Sequence, residues 1–251
     1  MWPAMGQAAA RPPDDFRAAG AAALGPVLDG RQLAAVRAAS ADILPRHGVV
    51  GPYATIVHDA WRRAPVLVDL LPHLGAIACA VTGFPELVLF HDHVLRKQPG
   101  GDDMAWHQDF SYLPLDRADG LTLWIALDEV TEANGCLYYL PGSHRLGERR
   151  PAWGIHAADD PRAGLPPVDV PPAEPGIAAP TAAGCAIAHH ALVLHRSPRN
   201  RTARARFTWV LSFVVPEARW APRRPHPRSA VSPRTDGQPL EPDLPRVRAR
   251  P

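Results

Sequence analysis

His107 and Asp109 stand two residues apart in the stretch AWHQDFSYLP, residues 105 to 114. On an extended strand the side chains at i and i+2 leave from one face, so an imidazole and a carboxylate can meet at one point. Two ligands do not make a site. Ferrous iron that must also take a cosubstrate and dioxygen is held by two histidines and one carboxylate, with three positions left open. A second histidine must therefore come from elsewhere. Of the twelve histidines, His195 has the most telling surroundings: it ends the apolar run AIAHHALVLH, and the turn RSPRNRTAR leads from it toward Arg206. A hairpin of that kind is expected to set His195 and Arg206 near each other across a strand pair. Arg204 shares the strand parity of Arg206, and the residues alone do not choose between them. An isolated H-x-D pair is more often chance than chemistry.

The elements that must position these residues can be read from texture. Gly30 to Leu44 and Val66 to Val81 carry apolar residues at helical spacing (Leu33, Val36, Ile43; Val68, Leu71, Leu74, Ile77), with Pro45 and Gly83 where helices should stop. The N-terminal third is thus expected to be mainly helical, behind a loose leader over residues 1–15. From Leu87 the chain breaks into short β-rich runs, among them LVLFHDHVLRK, LTLWIALDEV, GCLYYLPGSH, CAIAHHALVLH and RFTWVLSFVV, each bounded by Gly, Pro, Asn or Asp. Helices packed on a double-sheet jelly roll make an α+β fold with a mainly β core. Residues 148–184, rich in Pro, Ala and Gly, are too long for a hairpin turn and read as a lid insertion beside the site. The tail 221–251, crowded with Pro and Arg, is expected to lack regular structure and to strap the domain.

Composition narrows the partners. With 251 residues, 46% of them hydrophobic, the chain can bury one sizeable core, and a single domain over 1–251 is expected. Twenty-seven basic against 25 acidic residues, net +2, give no argument for nucleic acid or membrane binding. Small molecules are the default partner, and the oligomeric state is not legible. The N-terminus shows neither a secretory signal nor a membrane-spanning run, which suggests the cytoplasm. Cys79, Cys136 and Cys185 are isolated and suggest neither disulfides nor a cysteine zinc site.

Taken together, KQPG (97–100), WHQD (106–109), LTLWIALDEVTEANGCLYYLPGSH (121–144) and LHRSPRNRTARAR (194–206) resemble, in order, the motifs of the phytanoyl-CoA dioxygenase family of Fe(II)- and 2-oxoglutarate-dependent oxygenases. The resemblance runs from about Lys97 to Phe213. It implies a double-stranded β-helix, a cupin-like jelly roll with N-terminal helices packed on it and iron in its mouth. His107 and Asp109 match the proximal ligands and His195 the distal one. Arg206 falls where the family places the arginine that clamps the far carboxylate of 2-oxoglutarate, a two-pronged bond that an ammonium cannot make. Ser197 resembles the hydroxyl assisting that clamp, Trp124 an aromatic wall of the same pocket, and Lys97 a further cosubstrate contact. Two departures are Cys185, where relatives often carry Asp, and Arg196, where they carry Gly, which would put a positive charge near the mouth.

The implied reaction consumes 2-oxoglutarate and O2 and oxidises, most simply hydroxylates, a C–H bond of a small metabolite, as in bacterial specialised metabolism. Asp109 speaks against a halogenase, which needs a small residue there. Desaturation, cyclisation and epimerisation belong to the same chemistry. The rivals are a zinc hydrolase using the same triad, for which Arg206 has no use, and a non-catalytic jelly-roll binding protein. His91-Asp92-His93 is expected to be solvated or at the core edge, His189 packed or hydrogen-bonded, and His144, Phe110 and Tyr112 are candidates to line the substrate cavity.

Overall fold

Each central strand of the fold is buried on both faces, and the two faces do different things. The computed structural model describes residues 12–150, 165–170, 174–221 and 234–249. In chain order these hold α1 (Pro12–Ala19), β1 (Ala21–Pro26), α2 (Gly30–His47), β2 (Val49–Val50), β3 (Thr55–His58), α3 (Pro65–Thr82), β4 (Glu86–Lys97), β5 (Met104–His107), β6 (Gly120–Ala126) and β7 (Leu137–Tyr139). There follow β8 (Ile177–Ala179), β9 (Cys185–His189), β10 (His195–Ser197), β11 (Arg206–Val214) and β12 (Arg246–Arg248). A large antiparallel sheet runs β1-β9-β6-β11-β4-β3-β2, with β12 added beside β4, and a smaller one runs β5-β10-β7-β8. This is a jelly roll with helices on its outer side.

All nine residues of β11 and all seven of β6 are buried. Because side chains alternate between faces, Phe207, Trp209, Leu211 and Phe213 join Leu121, Leu123 and Ile125 in the core under the helices. The other parity, Val210, Trp124 and Ile187, packs against Leu137 and Tyr139 of the smaller sheet. That inward face also carries Thr122, His189, Arg206, Thr208 and Ser212, polar side chains that are buried. Polar groups are buried at a cost unless something satisfies them.

Helix ends follow their caps. Asp29 accepts from the Gln32 amide while the Gln32 side chain accepts from the Asp29 amide, a capping box that starts α2. Gly83, at φ +81°, ends α3 by donating its amide to Cys79 O. Pro45 does not stop α2, which continues to His47. Pro45 falls in the last turn, where few helical residues remain to be disrupted beyond it.

The N-terminal third is mainly helical, through α1, α2 and α3, but β1 and β3 also enter the large sheet; AAALGP carries no β-rich signal and becomes a strand through its pairing with β9. Other expectations need correction. The run CAIAHHALVLH is not one strand but two, β9 and β10, in different sheets, so its parity cannot be counted through residues 190–194. The tail forms β12, whose amides lie clear of the prolines and pair Arg246, Val247 and Arg248 with Val88, Leu87 and Glu86. A Cβ at Gly75 would collide with Val247, so α3 and the tail meet there through a residue without a side chain. Residues 12–15 of the leader are already helical, and residues 1–11 lie outside the described residues. Within the segment read as a lid, β8 pairs with β7, whereas residues 151–164 and 171–173 lie outside the described residues, as do 222–233 of the tail.

Candidate metal centre

A turn, rather than one continuous strand, brings the H-x-D pair together. β5 ends at His107, Gln108 is still extended (φ −116°, ψ 134°), and Asp109 opens a 3-10 turn over Asp109–Tyr112. The carboxylate thereby swings back until its Oδ1 lies 3.8 Å from His107 Nε2. In the smaller sheet His195 pairs directly with His107, ring centroids 4.1 Å apart, and His195 Nε2 lies 3.4 Å from the same Oδ1. One ligand-capable atom from each of the three sits within 4.8 Å of the others.

The second atoms of these side chains are already committed. His107 Nδ1 lies 2.9 Å from Ala105 O and His195 Nδ1 lies 3.0 Å from Val193 O. A carbonyl only accepts, so each Nδ1 carries the proton and each Nε2 keeps its lone pair for a cation. Asp109 Oδ2 accepts from Thr122 Oγ1 at 2.8 Å and His189 Nε2 at 3.0 Å, and the Tyr139 hydroxyl donates to His189 Nδ1 at 2.9 Å. Oδ1 alone faces the two imidazoles.

Burial and the neighbouring His195 push His107 down to about 3, which keeps it neutral. Against burial, which opposes its charge, the imidazoles of His195 and His189 hold Asp109 well below the usual carboxylate range. Burial pulls His195 down, but the Asp109 carboxylate outweighs it and raises the group. Two imidazole nitrogens and one ionised carboxylate oxygen, each oriented from behind, suit ferrous iron.

Arg206 and Lys97 are paired across β11 and β4, and both are buried, at 1% and 0% exposure. The expected hairpin is not what brings Arg206 to His195, because β10 and β11 lie in different sheets; the meeting is face to face, through Ser197. Arg206 Nη2 donates to Gly135 O at 2.7 Å and lies 3.4 Å from Ser197 Oγ, while Nε donates to Asn134 O at 3.1 Å. Gly135 sits at φ +85° with Pro198 O where a side chain would stand, so Asn134-Gly135 is a turn that presents two carbonyls to the guanidinium. Lys97 Nζ donates to Ser197 Oγ at 3.2 Å and to Pro198 O, and lies 4.3 Å from the Tyr53 ring centre. Burial and the Arg206 charge push Lys97 down to about 7.

Neither cation forms an ion pair among the described residues, and Arg206 Nη1 is buried there without a partner. Two buried positive charges and a spare N–H call for an anion. The Trp124 ring, 5.5 Å from the guanidinium carbon, and Ser197 line a cavity of about 380 Å³ that also reaches His107, Asp109 and His195.

Tyr112 lines this cavity, whereas Phe110 packs in the helix-side core. Arg204 is exposed. Arg196 is not at the mouth: it points away from the site, over the rings of Tyr138 (4.4 Å) and Trp106 (5.4 Å). His144 lies beside His190, ring centroids 5.4 Å apart and planes tilted by 45°. Sequence reasoning set aside His91 and His93, yet both line the cavity together with His58. The signal available in the sequence is that His91, His93 and Lys97 share one parity of a strand, so all three leave from one face. It also left His189 and Thr122 without the partner they share, Asp109.

A family model described as phytanoyl-CoA dioxygenase (PhyH) matches residues 16–208. The chain is 39% identical over 89 residues to a probable alpha-ketoglutarate-dependent hypophosphite dioxygenase of Stutzerimonas stutzeri, covering 35% of this chain and 28% of that protein. It is 32% identical over 144 residues to phytanoyl-CoA dioxygenase of Arabidopsis thaliana, 55% of this chain and 49% of that one. The chain thus spans half or less of these curated relatives' length. Over nearly its whole length it is similar to the epimerase SnoN from nogalamycin biosynthesis, solved in complex with Fe3+, alpha ketoglutarate and nogalamycin RO: TM-score 0.78, 25% identity, 94% of this chain and 97% of that one.

Proposed function

The chain belongs to the phytanoyl-CoA dioxygenase family, and we propose that it is an iron(II)- and 2-oxoglutarate-dependent oxygenase that hydroxylates a C–H bond of a small molecule. What carries the reading is one juxtaposition: a two-histidine, one-carboxylate cluster lines a cavity whose Ser197 and Trp124 adjoin two buried cations, one with a guanidinium N–H left over. When bound, ferrous iron with 2-oxoglutarate supplies the activation of O2, giving succinate and CO2 as co-products. His107 Nε2, His195 Nε2 and Asp109 Oδ1 would hold the metal. Arg206, assisted by Ser197 and Lys97, would hold the far carboxylate of 2-oxoglutarate, and Trp124 would close the side of that pocket. Thr122 and His189 keep Asp109 turned so that only one oxygen faces the ion.

These cations have no role in a zinc hydrolase, and a protein that merely kept the barrel has no need to bury them. The complexed SnoN structure supports a small, free organic substrate and a place in bacterial specialised metabolism. The three cysteines are free thiols in the fold, which accords with the cytoplasm.

The test is to reconstitute the protein anaerobically with Fe(II), add 2-oxoglutarate and O2, and follow succinate. Wild type is expected to release succinate even without a primary substrate. His107→Ala or His195→Ala should lower that rate at least about a thousandfold and abolish stoichiometric iron binding. Succinate release independent of these residues would end the reading.

A further inference from the structure

Beyond the metal cluster, the same cavity has a second polar wall, made by His58 on β3 and His91 and His93 on β4. His58 and His93 are directly opposite across the strand pair. Ring centroids lie 5.3 Å apart for His58 and His91, and 5.6 Å apart for His91 and His93. Behind the wall stands Asp59, the one non-glycine among the described residues at positive φ (φ 49°, ψ 49°). That backbone is held by the Asp59 amide bonding Asp92 O, and it turns the Asp59 carboxylate toward His91. Strained backbone of this kind persists only where its surroundings fix it.

The hydrogen bonds run in one direction. Asp59 Oδ1 lies 3.3 Å from His91 Nδ1, and His91 Nε2 lies 3.3 Å from His58 Nδ1. A carboxylate only accepts, so His91 carries its proton on Nδ1 and offers a lone pair at Nε2. With His91 neutral, that lone pair takes the proton of His58 Nδ1, which leaves Nε2 as the acceptor atom of a ring that lines the cavity. Burial pushes His58 down to about 4, so the ring stays neutral near pH 7. On the adjoining strand, His93 has a buried Nδ1 without a partner among the described residues, further polar capacity that the protein itself leaves unused.

We propose that this wall is the substrate-orienting site, and that Asp59 and His91 fix His58 as a hydrogen-bond acceptor that selects substrates presenting a hydroxyl group on an apolar ring. The inference deepens the oxygenase reading and rests on it for the role of the bound molecule. An acceptor backed by a carboxylate repels a carboxylate or phosphate and gives nothing to a ketone or an ether. A cationic amine would share the cavity with a dication at His107, Asp109 and His195. A hydroxyl suits both constraints, and Tyr53, Tyr112, Met104 and Leu113 around it supply the apolar contact for a ring.

The experiment uses full-length protein with labelled histidine nitrogens, one equivalent of Zn(II) as a diamagnetic stand-in for iron, and saturating 2-oxoglutarate to fill the Arg206 pocket. Phenol, anisole, benzoate and benzylamine are titrated as probes and followed by nuclear magnetic resonance. Before any probe is added, the His58 proton is expected on Nδ1. Phenol should perturb the His58 ring and bind about fivefold tighter than anisole, the worth of one neutral hydrogen bond, with benzoate and benzylamine weaker than phenol.

His58→Phe should erase the preference for phenol over anisole while leaving 2-oxoglutarate binding unchanged. Asp59→Asn, which tolerates the left-handed backbone, should weaken the preference and release the His58 tautomer, an effect that loss of packing alone does not produce. Equal binding of anisole, a proton on His58 Nε2, or a preference that survives His58→Phe would overturn the proposal. Failure of the oxygenase reading would show separately, as no succinate release with iron.

Discussion

The two polar ends of the cavity are cut from the same face of the large sheet and work by opposite means. At one end Arg206 and Lys97 are gripped by neutral groups, the carbonyls of Asn134, Gly135 and Pro198 and the Ser197 hydroxyl, so the charge they carry is left for something to be bound. At the other end the Asp59 carboxylate backs His91, and burial keeps His58 and His93 neutral, so lone pairs and N–H groups are on offer. Each end has a member on β4, His91 and His93 at one and Lys97 at the other. What separates them is the partner behind each side chain, which decides whether a position attracts an anion or a neutral hydroxyl.

That contrast can be broken most sharply at Arg206. Arg206→Met is expected to raise the 2-oxoglutarate concentration needed for half-maximal succinate release about a hundredfold, because a two-pronged contact is lost and Lys97 is left stranded. A change below tenfold would mean that the cationic end is not the cosubstrate's. Next in size is Thr122→Val, which frees one side of Asp109 Oδ2 and should weaken iron binding about tenfold in an anaerobic titration without moving 2-oxoglutarate affinity.

The smallest effect is a difference in pH response. Lys97, pushed down to about 7, is charged below that pH and neutral above it. Only the charged form attracts the dicarboxylate, so affinity for 2-oxoglutarate should fall about fivefold between pH 7 and 8, and Lys97→Met should flatten the profile. Phenol binding at the histidine wall should stay level over the same interval, since His58 is neutral throughout.

The two ends also differ in how they could be read. Arg206, Ser197 and Lys97 are legible because they fall in motifs with fixed order around His107-Gln108-Asp109 and His195. No such frame surrounds His58, His91 and His93. Their meeting depends on β3 pairing with β4, and although Thr55, Ile56 and Val57 favour a strand, nothing in TIVH fixes its partner or its register. The same limit hid β1: an alanine-rich hexapeptide becomes a strand because β9 offers an open edge, a long-range cause that no local window contains. Asp109 was placed correctly beside His107 for a reason only partly right, since the strand stops at His107 and a tight turn does the rest. His189 shares its parity with His195 only if CAIAHHALVLH is counted as one strand; the strand is interrupted, yet both do approach Asp109, one from each sheet.

Residues 246–248 close the free edge of β4 alongside Val88, Leu87 and Glu86, and Val247 fills the notch at Gly75 on α3. During synthesis this edge, on the strand bearing His91, His93 and Lys97, stays open until residues 246–248 leave the ribosome. An uncovered strand invites pairing with a neighbouring chain. Shortening the protein by those few residues should therefore reveal itself first as poor yield and self-association of the nascent product, before any change in its chemistry.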